Sequence, residues 1–458
     1  MYVEVAVDTY QDPTKKLFTY QVPENLEQKA VEGVKVAVPF GKRIVEGYIW
    51  STTPKKPSFP TKPIAEVKGQ TFNENQIKLA GFISRYYLAS PLESLKCQLG
   101  KRGERSTTAK PDKITTLILV PYASQVKIRA LAARKKREKA LVGSRGAVFV
   151  QLPTLKRIIV EEPENWSYKD ERAPYYHAAD IAKKRAKLEG LKLELNHQIP
   201  RLEDVVKKRV ELPKVKPVKI VDLQSERKAG NFSPISAELE ENIKRRARVI
   251  IFANSKEAKE EVREAAQKIG ADRSFTRIFG PELFSIPAEE ADIVFWADAD
   301  TLLNLPDFRV SERVAWAVTK LTQVAKGQLY LQTSNPDNET VQNLAKGDLA
   351  PLYNREKKQR KKLHYPPYST LVKLTYTSKS AARTSLEAAK LHEKLMENSE
   401  QRTVEISPPY EPYSKTPRKI RLNIAVKIKA KSPSAALAKL SKVIPPNWRV
   451  EVDPENLL

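Results

Sequence analysis

A change of hydrophobic period along the chain constrains the fold most. Over residues 1–68 the apolar positions alternate in short runs rich in branched residues: Val3–Val7, Leu17–Val22, Val34–Val38 and Ile44–Trp50. Period-2 alternation marks strands with one buried face. Turn segments Gln11-Asp12-Pro13, Pro23-Glu24-Asn25 and Phe40-Gly41-Lys42 separate the runs, so a small β-barrel is expected. Pro54–Pro63 reads as a proline- and lysine-rich loop. From Asn73 to Leu95 the period lengthens: Ile77, Leu79, Ala80, Phe82, Ile83 and Tyr86 recur at helical spacing. Lys101–Lys113 reads as a basic linker.

Beyond Thr115 strand-like and helix-like stretches alternate. Strands are expected at Thr116–Val120, Ala147–Val150, Arg157–Val160, Val249–Phe252 and Ile293–Ala297, with helices over Gln125–Leu141, Ala178–Leu188 and Ser255–Ile269. Such alternation implies parallel sheets covered by helices. The break at Leu223–Ser233 separates two such lobes. A charged helix follows over Pro336–Leu363. The remainder reads as strands Thr370–Tyr376, Lys419–Ile428 and Trp448–Val452 with helices Ser380–Met396 and Pro433–Val443. The expected class is multidomain α/β, divided at 1–105, 111–230, 231–344 and 345–458, the last an α+β unit.

Charge narrows the function. Lys plus Arg total 81 against 55 acids, a net +26. A nucleic-acid partner follows, because clustered cations gain by releasing counterions condensed on a polyanion. No basic segment sets Trp, Phe and Leu opposite its charges, and no run of 18 apolar residues exists, so a membrane partner is not expected. The opening MYVEVAVDTY lacks the basic and apolar regions of a signal peptide; a cytoplasmic protein is expected. Cys97 stands alone, excluding an intrachain disulfide and a cysteine-based zinc site. His177, His197, His364 and His392 are scattered and form no metal constellation. Basic runs occur at Arg134–Arg137, Lys183–Lys187, Lys357–Lys362 and Lys415–Arg421. The first two read as solvated helix faces. The third leads into His364-Tyr365-Pro366-Pro367-Tyr368, where cations beside aromatics make a nucleic-acid candidate.

Short, unusual strings then occur in a fixed order: LFTYQVPENL, GVKVAVPFGKR, LVGSRGAVFVQL, IIVEEPENWSYKDERAPYYHAADIAKKRAKLEG, SPIS, DADTLLNLPDFRVSERV, LYLQTSNPD and LHYPPYS. Together they resemble the primosomal protein N′ family, the PriA-type replication restart helicases, across most of the chain. The resemblance implies an N-terminal domain that captures a 3′ DNA end, two RecA-like helicase lobes and a C-terminal DNA-binding domain.

The departures from the family bear on activity. A P-loop needs GxxxxGK[ST], since glycine N–H groups wrap the phosphates and Lys reaches them; no such string occurs, and glycine totals 15 of 458 residues. The family's DEEH box reads Glu161, Glu162, Pro163, Glu164, its GSATPS reads NHQIPR at 196–201, and its QVAGRAGR is cut to QVAKG at 323–327. That last string supplies an arginine finger, worth roughly 10³–10⁵ in rate. The zinc insertion and the winged-helix domain of the family are missing. A catalytically dead relative is expected, with the ATP, Mg²⁺ and zinc sites lost and no cofactor.

For the 3′-end pocket, the resemblance implies Phe18, Gly41 and Lys62, with Thr19 where the family has an acid that reads the terminal base and 3′-OH. An aromatic face can stack a base, glycine lets backbone approach, and Lys62 can pair a phosphate. For the acidic tail of single-stranded DNA-binding protein, the resemblance implies Phe82 and Tyr86 on one helix with Lys419 and Asn423 on a C-terminal strand. The expected protein is a monomer that binds forks and D-loops in replication restart and serves as a platform for replicative helicase loading proteins. The alternatives are an active ATP-dependent 3′–5′ restart helicase and a protein-interaction adaptor without DNA binding.

Overall fold

The computed structural model of the chain describes residues 1–8, 17–99, 104–208, 210–286, 290–400, 402–413, 419–430 and 432–458. The expected turn Gln11-Asp12-Pro13 and parts of the basic segments Lys101–Lys113 and Lys415–Arg421 lie outside the described residues.

The first unit is an antiparallel sheet of β1 (Tyr2–Val7), β2 (Phe18–Gln21), β3 (Val34–Phe40), β4 (Arg43–Thr53) and β5 (Glu66–Gln70), in the order β2-β1-β4-β3-β5. The Gln21 N–H donates to the Lys62 carbonyl (3.0 Å) and the Ile64 N–H to the Gln21 carbonyl (2.9 Å), tying the β2 edge to the segment that enters β5. Val3, Val5 and Val7 alternate with Val34, Val36 and Val38 to fill one face. Ala6 and Tyr48 on the other face meet Ile77, Ala80 and Leu95 of the following helices. Gly33 is required at the entry to β3: its φ is +85° and a Cβ would fall 2.0 Å from the Phe72 carbonyl oxygen.

The helix expected over Asn73–Leu95 is two. α1 (Glu74–Tyr86) opens on an Asn73–Gln76 capping box, and α2 (Pro91–Lys96) on a Ser90–Glu93 box with Pro at its first turn. The second cap, with Leu88 at φ 55°, interrupts the helical run.

The second unit holds β6 (Arg105–Thr107), β7 (Thr116–Leu119), α3 (Gln125–Lys135), β8 (Ala140–Gly143), β9 (Arg157–Glu161), α4 (Ala178–Glu189) and β10 (Lys192–Asn196). Its sheet runs β10-β9-β7-β8-β6, parallel except for β6. The helix expected to reach Leu141 stops at Lys135, and β8 follows. The strand expected at Ala147–Val150 is a 3₁₀ turn instead, because the run has only turn-length connections to β8 and packs inward through Ala147, Val148 and Phe149.

α5 (Leu202–Lys208) leads to the third unit: β11 (Lys219–Asp222), α6 (Leu223–Lys228), α7 (Ala237–Lys244), β12 (Val249–Phe252), α8 (Lys256–Lys268), β13 (Thr276–Phe279), β14 (Ala291–Trp296), α9 (Ala299–Leu303), α10 (Val310–Val324), β15 (Ala325–Thr333), α11 (Glu339–Ala345) and α12 (Ala350–Lys362). Its all-parallel sheet is β11-β15-β14-β12-β13. The division expected at residue 230 is therefore too late, since β11 pairs with β15. The division at 345 is too early: Leu349, Leu352 and Tyr353 of the α12 segment belong to the same core as Trp296, Val314 and Leu331. The single charged helix expected over Pro336–Leu363 is split at Gly347, whose φ is +70°.

The last unit is β16 (Thr370–Ser378), α13 (Ala381–Glu397), β17 (Val404–Ile406), β18 (Ile420–Ile428), α14 (Ser434–Val443) and β19 (Arg449–Val452), an antiparallel sheet ordered β17-β18-β16-β19. It is not an independent bead. One apolar core runs from Leu79, Ile83 and Tyr87 through Leu117, Ile158 and Ile181 to Val372, Ile424 and Val450. The buried Lys169 ammonium donates to the carbonyls of Val452 (2.6 Å) and Asp453 (2.8 Å), fixing the last strand against the second unit. Among the described residues no helix is long and apolar enough to cross a membrane.

Candidate nucleic-acid interface

Three of the four residues expected in the 3′-end pocket meet at one end of the first sheet. Phe18 opens β2 and packs edge-on against Phe40, ring centres 5.1 Å apart at 85°. Phe40 ends β3, and the tight β3–β4 turn follows through Gly41 at φ +60°, a conformation glycine adopts without strain. The Lys62 ammonium donates to the Gly41 carbonyl at 3.4 Å. Nothing lies within 4 Å of where a Gly41 Cβ would stand, so the space above the turn is open. Gly41, Lys42, Arg43 and Lys62 are exposed, and both aromatic rings are half-buried. The site thus offers an aromatic pair, an open backbone turn and several cations.

Thr19 does not join them. Successive strand residues face opposite sides, and Phe18 and Tyr20 point toward the Val-rich core. Thr19 stands in the row Thr19–Glu4–Ser51 across β2, β1 and β4, where the Ser51 hydroxyl donates to the Glu4 carboxylate at 2.8 Å. Sequence reasoning missed Phe40, whose place immediately before Gly41 was the available signal. It also missed Phe59, 55% exposed in the loop that carries Lys62.

The four residues expected to hold an acidic protein tail are not assembled. Phe82 and Tyr86 stack at 5.4 Å and 16°. Lys184 lies over Phe82, its ammonium 5.2 Å from the ring centre. The Tyr86 hydroxyl donates to the Asp453 carboxylate at 2.5 Å, and burial followed by the Asp453 charge pushes its pKa well up. Asp453 sits beside Leu371, which pairs with Lys427. Lys419 is eight residues back along that chain, about 26 Å at ~3.3 Å per residue. Asn423 is buried and committed to Thr375, whose hydroxyl donates to its side-chain oxygen at 2.8 Å. Among the described residues no hydrogen bond, ion pair or ring contact joins the aromatic pair to Lys419 or Asn423.

The string Glu161-Glu162-Pro163-Glu164 lies where β9 leaves its sheet, and each carboxylate has a protein partner. Glu161 accepts from Arg129 Nε (3.1 Å) and Asn196 Nδ2 (2.9 Å). Glu162, buried at φ 50°, pairs with Lys320 of α10 and so links the second unit to the third. Glu164 accepts from the backbone N–H groups of Gln198 (2.6 Å) and Ile199 (3.0 Å) and contacts His197 Nδ1 (3.1 Å). Gln323 donates to Gln198 at 2.6 Å, and the chain then enters β15. Trp166 and Trp316 meet beside the same seam, ring centres 4.5 Å apart.

A buried ionic cluster beside this seam was not visible in the sequence. Arg309 pairs with Glu203 and, at 3.2 Å, with Glu312. Arg360 pairs with Glu312 (2.8 Å) and Glu356 (3.3 Å). Arg201 pairs with Glu455 (2.9 Å) and approaches His177 Nε2 (3.3 Å). Burial opposes ionisation of Glu455, but Arg201 and Arg309 hold its pKa down to about 2. Burial, reinforced by Arg201, lowers His177 to about 3. The basic run Lys183–Lys187 is likewise no solvated face: Arg185 is fully buried, bonded to Glu189 and to the carbonyls of Val148 and Val150.

Comparison with known proteins places the first unit among described domains. Residues 4–100 match the PriA 3′ DNA-binding domain family, 3'DNA-binding domain (3'BD). Residues 4–100 are therefore similar to domains of this family. The replication restart protein PriA of Bacillus subtilis (strain 168) is 22% identical over 414 residues, covering 67% of this chain and 51% of the relative. PriA of Synechocystis sp. is 36% identical over 120 residues, 22% of this chain and 14% of the relative. PriA of Chlamydia muridarum is 31% identical over 117 residues, 24% and 15%. The chain is similar to PriA-type proteins, and its matches span about half the length of the Bacillus relative or less. A solved structure of an S. cerevisiae Dbp5 variant bound to RNA and ADP BeF3 superposes with a TM-score of 0.34 at 11% identity, covering 64% of this chain and 98% of that one, a likeness too low to carry an argument.

Proposed function

We propose that this PriA-type chain binds branched DNA, forks and D-loops, in replication restart, and that it does so without hydrolysing ATP. The observation that carries the reading is the pocket of Phe18, Phe40, Gly41 and Lys62, open above the turn, within a domain of the 3′ DNA-binding type. A terminal base stacks on the aromatic pair, its phosphate meets Lys62, and the Gly41 turn lets the strand approach. The net charge of +26 supplies the sequence-independent attraction.

The ATP-independent part is supported by the missing P-loop string and by the engagement of Glu161, Glu162 and Glu164 with Arg129, Lys320 and the 198–199 backbone. In this reading the second and third units are RecA-like lobes kept as scaffold. The fork-bound protein is then a platform on which helicase-loading proteins assemble.

The test is binding to labelled forks with and without a nascent 3′-OH, and to linear duplex, beside a DNA-stimulated ATPase assay. Expected are salt-sensitive binding with preference for the fork and no ATP turnover. Equal affinity for fork and linear duplex overturns the structure-specific part. Turnover near ~1 s⁻¹ or above, within the usual enzyme range, overturns the ATP-independent part.

A further inference from the structure

We propose that the solvent face of α12 is a second nucleic-acid contact, one that grips the phosphate backbone and reads no base. Helix α12 is divided sharply. Leu352, Tyr353, Glu356 and Arg360 are buried, whereas Lys357, Lys358, Lys361 and Lys362 are exposed. At 3.6 residues per turn the four lysines fall on the side opposite the buried set.

The inward charges of α12 are all paired: Arg355 with Glu339 (2.7 Å), and Arg360 with Glu312 (2.8 Å) and Glu356 (3.3 Å). The four lysines make no ion pair or hydrogen bond among the described residues. They also stand as Lys357–Lys361 and Lys358–Lys362, two like-charge pairs at i,i+4 spacing, which destabilise a helix. The helix C-terminus favours cations and offsets part of that repulsion. Four ammonium groups within about 7.5 Å of helix axis, at ~1.5 Å per residue, still lack a counter-charge. A polyanion supplies it.

Tyr365, the aromatic residue nearest this face, is already engaged. Tyr365 is stacked on Phe308, ring centres 4.8 Å apart at 5°. Lys427 lies over Tyr365 as well, its ammonium 4.1 Å from the ring centre. Arg360 covers Phe308 at 5.3 Å. With Tyr365 engaged by both a ring and a cation, the lysines act alone and the contact is with phosphates.

This inference rests on the DNA-binding reading, and its test separates the two. The full chain is compared with K357Q/K358Q/K361Q/K362Q and with the four-arginine counterpart, on a fork with a long duplex arm, over a salt titration. A cooperative thermal transition in all three proteins, no lower in the glutamine variant than in wild type, confirms that the surface substitutions leave the fold intact. Each duplex phosphate contact contributes ~0.9 to the log–log salt slope. The glutamine variant is expected to lose at least ~2 of that slope, whereas the arginine variant keeps it. The preference for a 3′-OH over a 3′-phosphate end should be the same in all three. Wild-type protein that binds no DNA overturns the functional reading itself. Wild-type binding with a slope that the glutamine variant reproduces overturns only the α12 face. The same holds if the glutamine variant loses binding to polyglutamate while its DNA slope stands, because the face then takes acidic protein.

Discussion

The N-terminal pocket and the Glu161–Glu164 string are built from similar materials, charged and aromatic residues at strand ends, yet they are finished in opposite ways. In the pocket Lys62 holds one carbonyl at 3.4 Å and remains exposed, and the space above Gly41 is open. At 161–164 every carboxylate is answered from inside the protein, and Trp166 packs edge-on against Trp316 beside them. Groups that await a ligand stay under-committed, whereas groups that hold a fold together are satisfied and desolvated. Removing a partner therefore unfolds one region and weakens binding in the other.

The largest expected effect is in the closed region. Arg360→Leu removes the shorter ion pair from each of the buried Glu312 and Glu356, leaving them only Arg309 at 3.2 Å and Arg355 at 3.9 Å. Breaking a buried pair by removing one partner costs ~3–5 kcal/mol, and denaturant unfolding measures it. A loss within ~0.5 kcal/mol would mean that the cluster relaxes into water, and the contrast with the pocket would disappear.

Acidification is the next probe of the same cluster. The His177 pKa is lowered from 6.5 to about 3 by burial and Arg201. The unfolded chain therefore binds the proton first, and the contribution is complete above about 6.5 and erodes as pH falls toward 3. Glu455, lowered from 4.5 to about 2 despite its burial, adds stability above about 4.5 that is lost between 4.5 and 2. Both have the same sign. Stability should fall by about 2 kcal/mol between pH 6.5 and 5, at ~1.4 kcal/mol per unit, and His177→Asn should flatten that segment. Constant stability from pH 7 to 5 would place the imidazole in solvent.

The two regions were unequally legible in the sequence. Period-2 alternation located β1 to β4, and Phe40-Gly41-Lys42 marked the pocket turn, because local pattern and local geometry coincide there. The strand β8 (Ala140–Gly143) was absorbed into the preceding helix because only a short basic turn separates them. The misplaced divisions at 230 and 345 have one cause: β11 and α12 take their partners from elements far along the chain. The ionic cluster was invisible for that reason too. Arg201, Glu203, Arg309, Glu312, Arg360 and Glu455 are scattered along the sequence, and only the fold gathers them. Lys183–Lys187 shows the same limit, since the apparent solvated face contains the buried Arg185.

In the open region the effects are on binding. Phe18→Leu preserves an apolar side chain beside Phe40 but removes the stacking face, so fork affinity should fall by ~1–3 kcal/mol with unfolding little changed. Lys62→Ala should reduce the salt slope by about 0.9, one phosphate contact. If Phe18→Leu unfolds the domain and leaves residual binding unaltered, Phe18 belongs to the Val-rich core alone.

The smallest expected effect is at Thr19, where the pocket's edge is defined. If Thr19 shared the pocket, Thr19→Asp would place an acid beside the strand end and sharpen discrimination between a 3′-OH and a 3′-phosphate. The strand instead turns Thr19 to the outer row, directly across from Glu4. The substitution should leave end discrimination unchanged and set two carboxylates opposite each other, a like-charge pair costing ~0.2–1 kcal/mol of stability. Competition between the two end chemistries and a denaturant midpoint, measured on the same variant, read both consequences. Sharper rejection of the 3′-phosphate would put Thr19 at the strand end, and the pocket would then extend around the edge of β2.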